Sequence, residues 1–223
     1  WEYDFLPAPN GGLPNGFGYA AFFTQAGQPG MEAEPQPGNY YTVVNGRALF
    51  NYTEEIVGVR TTLRGLYASP GFFAGTDALL RVSFDDPLQY WDNTADGFLF
   101  QLGIGYRGKN MLQDWVGGLL EASWTPSGWN PAWKLRLVKV TDAVLATVVI
   151  NTSGSSFQTV NELHFKIVGK KARVSFNGID IVQAEVDFRG EAALCLMCRV
   201  TTVAAGVYTS YGVLRKVNAS ELD

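Results

Sequence analysis

The feature that most constrains the fold is a stretch near residues 160–184 in which apolar and polar residues alternate between tight turns. Apolar side chains recur at every second position, at Leu163, Phe165 and Ile167. Turns are expected at Gly169-Lys170 and at Asn177-Gly178. Alternation with a period of two is typical of a half-buried strand, and Asn-Gly between such stretches is the strongest short-range hairpin signal. The stretch therefore predicts a three-stranded antiparallel meander with one face in a core.

Strand patterns extend over most of the chain, and no stretch shows a sustained helical period. A further Asn-Gly hairpin is predicted at Asn45-Gly46, and the glycines at 103 and 105 are expected to mark a close approach of another backbone or of a ligand. The predicted fold class is all-β, an antiparallel two-sheet sandwich of the jelly-roll type. Strands are predicted over residues 56–66, 78–84, 98–106, 133–140, 144–150, 179–184, 192–200 and 208–217.

The domain organisation follows from where proline and glycine fall in the 223 residues. Residues 1–40 are rich in both, which predicts a loop-rich segment without long regular elements, packed on the core by its aromatic residues. Residues 41–223 are predicted to form a single sandwich domain, because no linker divides them and all-β sandwiches reach this length as one unit.

Net charge and hydropathy limit the classes of partner that the chain is expected to bind. The formal net charge of −4 opposes a nucleic-acid partner. The longest apolar run, residues 143–150, is far shorter than the roughly 18 residues that span a bilayer, so we expect a soluble chain without membrane insertion. Residues 1–4 lack the features of a signal peptide. Cys195 and Cys198 would point to opposite faces of one strand, so we expect two buried thiols rather than a disulfide.

The run from His164 to Val200 resembles the C-terminal half of concanavalin A-like (laminin-G-like) lectin and glucanase domains. Phe176-Asn177-Gly178-Ile179 and Phe188-Arg189-Gly190 occupy two of that family's turn steps, and Tyr211-Gly212-Val213-Leu214 looks like its closing strand. The resemblance implies a jelly roll. It leaves function open, because the fold hosts lectins, glycoside hydrolases, polysaccharide lyases, adhesion modules and virion proteins.

Two groups of aromatic residues are candidates for ligand binding. Four of the six tryptophans lie between residues 115 and 133, partly in a stretch with Pro and Gly that predicts an exposed loop, and a second group lies at residues 89–93. An aromatic face packs against the C–H face of a sugar ring while polar neighbours bind its hydroxyls. The alternative is that the rings fill the interior or cover an edge of the sandwich. The candidate residues are Trp129, Trp124, Asn130, Trp91, Tyr90 and Trp115.

A calcium site is predicted near residues 85–97. Asp92 and Asp96 are spaced like the first ligands of a calcium loop that turns at a glycine, and Asp85 is a further oxygen ligand. The twelfth position is Gly103 where an EF-hand has glutamate, so the loop is not an EF-hand. Calcium is also common in the family that the chain resembles. An Asx turn explains the pattern equally well.

No catalytic residue set is found in the sequence. Glycoside hydrolysis needs two facing carboxylates, and the Glu-x-Asp-x-x-Glu pattern of glucanases with this fold does not occur. Glu121 and Asp114 are interpreted as solvent-facing loop acids. His164, the only histidine, is expected on a polar strand face.

The leading hypothesis is a non-catalytic glycan-binding or adhesion module of the lectin type, whose partner is a polysaccharide or surface glycan. The alternative is a virion or cell-surface assembly protein, phage-like, that forms homo-oligomers or binds neighbouring subunits through edge strands. A second alternative is a polysaccharide lyase or glycoside hydrolase. The expected location is extracellular, or on a virion or cell surface.

Overall fold

The structure, a computed structural model, describes residues 2–4, 17–25, 28–31, 41–44, 47–56, 60–68, 77–85, 98–107, 115–125, 128–139, 143–150, 159–186, 193–202 and 206–222. These residues form sixteen strands and contain no helix, which confirms the all-β prediction. Nothing in this part of the chain is a helix long and apolar enough to cross a membrane. The strands are β1 (Glu2–Asp4), β2 (Phe17–Gln25), β3 (Gln28–Met31), β4 (Tyr41–Val44), β5 (Arg47–Ile56), β6 (Arg60–Ala68), β7 (Ala78–Asp85), β8 (Phe98–Arg107), β9 (Trp115–Thr125), β10 (Gly128–Lys139), β11 (Ala143–Ile150), β12 (Val160–Val168), β13 (Lys171–Phe176), β14 (Ile179–Glu185), β15 (Ala193–Thr202) and β16 (Gly206–Glu221).

The strands form two eight-stranded sheets, sheet A and sheet B. Sheet A has the order β14-β13-β12-β7-β16-β5-β4, with β1 also paired to β16. Sheet B has the order β11-β10-β9-β8-β15-β6-β2-β3. Neighbouring strands pair antiparallel throughout, for example β8 with β15 and β12 with β7. The two-sheet antiparallel sandwich predicted from the sequence is therefore confirmed.

The predicted meander is present as β12, β13 and β14. Val168 pairs with Lys171 across the first turn, and Phe176 pairs with Ile179 across the second. Asn177 and Gly178 have φ angles of 52° and 79°, as a type I′ turn requires at both central residues. The Asn45-Gly46 hairpin is confirmed by its flanking strands, since Val44 pairs with Arg47.

The core lies between the sheets and consists of every second residue of the central strands. Leu80, Phe165 and Val174 from sheet A are buried there, and Leu102, Leu120 and Leu135 are their counterparts from sheet B. The rings of Tyr106 and Phe165 meet across the two sheets edge to face, with centroids 6.1 Å apart. Because strand side chains alternate, the residues between these core positions lie on the outer faces of the two sheets.

The central strands of sheet B confirm two sequence predictions. A Cβ atom at Gly105 would overlap the backbone of Val116 and Gly117 on β9, so the predicted close approach of another backbone is present at this glycine. On β15, Cys195 pairs with Gly105 and Cys198 pairs with Leu102, which places the two cysteines on opposite faces as predicted.

The N-terminal residues contribute strands to both sheets. The prediction that residues 1–40 hold no long regular element is wrong for β2, which pairs with β6 along its nine residues. The reason is that proline and glycine cluster before and after this stretch, while Phe17–Gln25 itself contains a single glycine. The division of the chain at residue 40 stays a prediction.

Candidate functional site

A cluster of polar side chains lies on the outer face of sheet B, the face directed away from sheet A. Gln101 on β8 is directly opposite Glu121 on β9, and Glu121 is opposite Lys134 on β10. The adjoining residues of these strands, including Leu102 and Leu120, belong to the core. Directly paired residues of antiparallel strands share a face, so the register brings these polar residues together.

Three side chains of this face form the polar cluster: Gln101, Glu121 and Arg136. Gln101 Nε2 donates a hydrogen bond to Glu121 Oε2 at 2.6 Å. Arg136 Nη2 lies 2.8 Å from Glu121 Oε1. The Glu121 side chain is 2% exposed and that of Arg136 is 24% exposed. A carboxylate taken out of water in this way is stabilised because both of its oxygens meet donors, one of them cationic.

Two polar atoms of the cluster have no partner in the described part of the chain. Gln101 Oε1 and Arg136 Nε are both buried there without a hydrogen bond. Because the amide nitrogen of Gln101 is directed to Glu121, its carbonyl oxygen is left as an open acceptor, and Arg136 Nε is an open donor. Buried atoms without partners cost about 1–3 kcal/mol each and are rare in folded proteins. The cluster therefore contains one acceptor and one donor whose hydrogen-bonding capacity is not used by the described residues.

The strands beside the cluster present little side-chain bulk on the same face. Gly103 pairs with Leu119, and Gly105 pairs with Gly117. Leu119 is buried, whereas Arg136 and Lys134 on β10 are partly exposed. On the β10 side, the buried carboxylate of Glu121 is therefore bordered by two partly exposed cations, Lys134 and Arg136.

The predicted tryptophan loop is not a loop. Trp115 and Trp124 belong to β9, which ends at Thr125, and β10 begins at Gly128 and includes Trp129 and Asn130. The loop was predicted from the prolines and glycines of this stretch, and Pro131 lies within β10. The β9–β10 register shifts between Gly128 and Ala132, and such an irregularity accommodates a proline within a strand.

The remaining ligand-binding and metal candidates lie partly in the described strands and partly outside the described residues. Trp133 is 1% exposed and lies in the core, as the packing alternative for the tryptophans proposed. Tyr90, Trp91, Asp92 and Asp96 lie outside the described residues. The ligand-binding roles of Trp115, Trp124, Trp129 and Asn130 stay predictions.

The acidic candidates are placed as follows. Asp85 is buried at the end of β7 and accepts a hydrogen bond from Arg215 Nε, so its carboxylate is engaged by a guanidinium. No group of three potential metal-ligating residues occurs among the described residues. The interpretation of Glu121 as a solvent-facing loop acid is wrong, because the residue is buried in β9 between donors from β8 and β10. Asp114 lies outside the described residues.

His164 lies on the outer face of sheet A, as its alternation predicted. Its Nε2 atom is 2.9 Å from Glu162 Oε2. Gln101 and Arg136 were missed by the sequence analysis. The available signal was a polar residue in the middle of the apolar stretch FLFQLGIGY, which indicates a buried side chain that needs a partner.

Comparisons with known proteins identify the fold. No family model matches the chain, and no curated protein matches it. Solved structures do match it. The carbohydrate recognition domain of Emp47p aligns with 98% of this chain and 93% of its own, at 10% identity and a TM-score of 0.59. A β-glucanase of Bacillus licheniformis aligns over 100% and 98%, at 11% identity and a TM-score of 0.58.

A third match is the exoplasmic/lumenal domain of VIP36 in a Ca²⁺/Man3GlcNAc-bound form, which covers 93% of this chain and 84% of its own at 8% identity and a TM-score of 0.54. The chain has a concanavalin A-like jelly-roll fold. The resemblance stated from the sequence is confirmed at the level of the fold. At identities this low, the likeness establishes the fold of this jelly roll and leaves its activity to be argued from its own residues.

Proposed function

We propose that this jelly roll is a non-catalytic carbohydrate-binding module of the lectin type, and that its glycan contacts the polar cluster on the outer face of sheet B. The observation that carries the proposal is the pair of buried polar atoms, Gln101 Oε1 and Arg136 Nε, that have no partner within the described residues. A sugar hydroxyl donates and accepts hydrogen bonds. It can therefore donate to the glutamine oxygen and accept from the guanidinium.

The chemistry of the cluster favours a neutral polyol over other ligands. An apolar ligand would leave both atoms without partners, at a cost of about 1–3 kcal/mol each. An anionic group would approach the buried carboxylate of Glu121, whose charge the Arg136 contact already balances. Hydroxyl groups satisfy the open atoms without adding charge to a buried site.

The carboxylate content of this face favours binding over hydrolysis. Retaining and inverting glycosidases both use two carboxyl groups that flank the scissile bond. On the described strands of sheet B, Glu121 is the only acidic residue at an outer-face register position, and it is held by Gln101 and Arg136. Carbohydrate recognition is the function named for the Emp47p domain, and the cluster supports that class over the glucanase class.

The proposal is tested with a glycan array followed by calorimetry on the best ligand. Gln101→Leu removes the open acceptor at similar volume. Arg136→Lys keeps a cation near Glu121 and removes the Nε donor. Each is expected to weaken binding about 10-fold or more, the loss of a hydrogen bond to a charged or buried group. Gln183→Leu, an exposed glutamine on β14 of the other sheet, is the matched control and should leave the affinity unchanged.

Absence of binding across the array, or wild-type affinity in both Gln101→Leu and Arg136→Lys, would overturn the proposal. Thermal unfolding of each variant shows whether a loss of binding follows from a loss of fold.

The predicted tryptophan and calcium contacts enter the same assay. Trp129→Ala should reduce affinity if its ring stacks on the sugar, with Trp124, Trp115, Tyr90 and Trp91 as further positions and Asn130 as a hydroxyl ligand. A calcium-dependent rise in melting temperature or affinity should disappear in an Asp92→Asn, Asp96→Asn double variant. Asp85→Asn should retain that rise, because Asp85 is engaged by Arg215.

A second candidate function is assembly between copies, on an extracellular, virion or cell surface. The observation that favours it is β11, which ends the strand order of sheet B and contains no charged residue and no proline. Val149 on this strand is 65% exposed. At the same side of the sandwich, β14 has Asp180 and Glu185, and at the other end of sheet B the edge strand β3 contains Pro29. Charges and prolines are the usual protection of sheet edges, and β11 has neither.

The assembly candidate predicts antiparallel pairing of β11 with β11 of a second copy, which would continue sheet B through both molecules. Light scattering over a concentration series measures the mass. A dimer that Val149→Lys dissociates supports this candidate, and a monomer at all concentrations contradicts it. Val168→Lys, at an exposed valine on sheet A, is the control.

A further inference from the structure

The turn between β13 and β14 contains a dipeptide that is chemically labile in an unfolded chain. Asn177 is followed by Gly178, and glycine has no side chain to hinder its backbone nitrogen. That nitrogen can attack Cγ of the asparagine. A C–N bond forms, the Cγ–Nδ2 bond breaks, and ammonia leaves with the proton of the Gly178 amide. Water then opens the resulting succinimide ring to aspartate or to isoaspartate.

The fold holds the Asn177 side chain away from this reaction. The Glu162 amide donates a hydrogen bond to Asn177 Oδ1 at 2.8 Å, and Asn177 Nδ2 donates one to Asn161 Oδ1 at 3.0 Å. Both polar atoms of the amide are therefore bound to residues of β12. Gly178 begins the connection to β14, which lies on the other side of β13 in the order β14-β13-β12. The side chain has to give up both hydrogen bonds before its Cγ meets the Gly178 nitrogen.

The same contacts explain why the turn contains asparagine. Asn-Gly, Asp-Gly and Gly-Gly all suit a type I′ turn, and the φ angles of 52° and 79° require residues of this kind. Of the three possible first residues, only asparagine accepts the hydrogen bond from Glu162 and also donates one to Asn161. Asn161 is fully buried, so a donor for its side-chain oxygen has to come from the protein.

Conversion of Asn177 changes this turn in either product. An aspartate keeps the acceptor for the Glu162 amide, but its second oxygen carries no proton at neutral pH, so two acceptors face each other where Nδ2 met Asn161 Oδ1. An isoaspartate adds one methylene group to the backbone between Phe176 and Ile179, which pair directly across the two-residue turn. Turn length fixes the register of a hairpin, so this product is incompatible with the present pairing of β13 and β14.

We propose that Asn177 is a deamidation site that the folded meander keeps closed and that local opening of β13 and β14 exposes. β14 ends the strand order of sheet A, so these two strands can separate from β12 while the centre of the sheet stays paired. Local opening of this kind costs less free energy than unfolding of the whole chain. Once converted, the residue no longer supports the closed turn, so an opening that leads to reaction is irreversible. This inference involves neither the polar cluster nor a glycan.

Peptide mapping measures the reaction directly. The chain is incubated in mildly alkaline buffer, either folded or in guanidinium chloride, and is then digested with trypsin. Cleavage after Arg173 and Arg189 releases residues 174–189, in which Asn177 is the only asparagine. Chromatography separates the aspartate and isoaspartate forms, and fragment masses distinguish Asn177 from Gln183. We expect conversion to be about 10-fold or more slower in the folded chain, because only the opened fraction reacts.

A pair of core substitutions tests whether the opening is local. Val182 on β14 pairs with Val174, and Val182 and Val217 on β16 are both buried. Val182→Ala weakens the edge of the meander and should speed conversion of Asn177 several-fold. Val217→Ala, the same change in the centre of sheet A, should leave the rate within about twofold of wild type under conditions where both variants are folded.

A variant that mimics the product gives an independent readout. Asn177→Asp should melt about 2–8 °C below the wild type, because it loses the donor to Asn161. Gln183→Glu adds the same charge at an exposed position of β14 and should melt at the wild-type temperature. Thermal unfolding of the two variants separates the loss of a hydrogen bond from the effect of an added charge.

Equal rates of conversion in the folded and the denatured chain would overturn the proposal. Equal acceleration by Val182→Ala and Val217→Ala would overturn it too, because the site would then open only with the whole fold. A wild-type melting temperature for Asn177→Asp would show that the product fits the turn, which contradicts the proposal as well.

Discussion

Gly118 on β9 of sheet B packs closely against Val174 on β13 of sheet A. A Cβ atom at Gly118 would lie 2.5 Å from Val174 Cγ1 and 2.9 Å from Val174 Cγ2. Carbon atoms in favourable contact are about 3.5–4.0 Å apart, so Gly118→Ala creates an overlap of about 1 Å. Val174 is fully buried and has one branched, stiff side chain, so it cannot turn into solvent to relieve the overlap.

We expect Gly118→Ala to destabilise the fold. Overpacking of this kind costs about 1–3 kcal/mol, and replacing glycine recovers about 0.4–1 kcal/mol of backbone entropy. The net loss of about 1–2 kcal/mol corresponds to a fall in melting temperature of about 2–8 °C for a chain of this length. Urea unfolding should show a lower midpoint with an unchanged slope, because the surface exposed on unfolding does not change.

A double-mutant cycle tests the stated cause. Val174→Ala alone should cost about 2 kcal/mol by leaving a cavity. In the double variant the two overlapping methyl groups are absent, so its loss should be smaller than the two single losses together by about 1–2 kcal/mol. Gly169→Ala is the control: no atom lies within 4 Å of the site, and its cost of about 1 kcal/mol comes from the left-handed φ of 56°.

Full stability of Gly118→Ala, or strict additivity with Val174→Ala, would refute the argument that a methyl group at residue 118 overlaps the side chain of Val174. Coupling between Gly169→Ala and Val174→Ala would refute it as well, since those sites share no contact.

Three further predictions concern pH and turn geometry. The hydrogen bond from Lys216 lowers the pKa of Glu2. The stability that ionised Glu2 contributes is therefore present above the ordinary pKa of 4.5 and is lost as the pH falls below it. Glu2→Gln should remove this part of the pH dependence of unfolding. Burial raises the pKa of Tyr106. The stability that neutral Tyr106 contributes is therefore present below the ordinary pKa of 10.0 and is lost at higher pH. Tyr106→Phe should reduce the fall in the free energy of unfolding at alkaline pH. Asn177→Ala should cost about 1–2 kcal/mol in urea unfolding, because alanine tolerates the φ of 52° poorly and cannot accept the hydrogen bond that the Glu162 amide donates to Asn177 Oδ1. Asn177→Gly should recover the backbone part of that loss.

The sandwich was predictable where one face of a strand is buried and the other is not. β12 alternates buried and exposed residues along its length, which is the pattern read from Leu163, Phe165 and Ile167. β9 was not predicted, because both of its faces are buried. Leu119, Leu120 and Glu121 are each no more than 3% exposed, so the strand lacks alternation. Such a strand cannot be separated from other apolar segments by periodicity alone.

The polar cluster was not predictable from local sequence because its members meet only through register. Gln101 and Glu121 are 20 positions apart in the chain and become neighbours when β8 pairs with β9. Shifting that register by one residue would move Glu121 to the core face and Leu120 to the outer face. A reading of Glu121 by its nearest sequence neighbours, with Trp124 close by, therefore placed it in solvent.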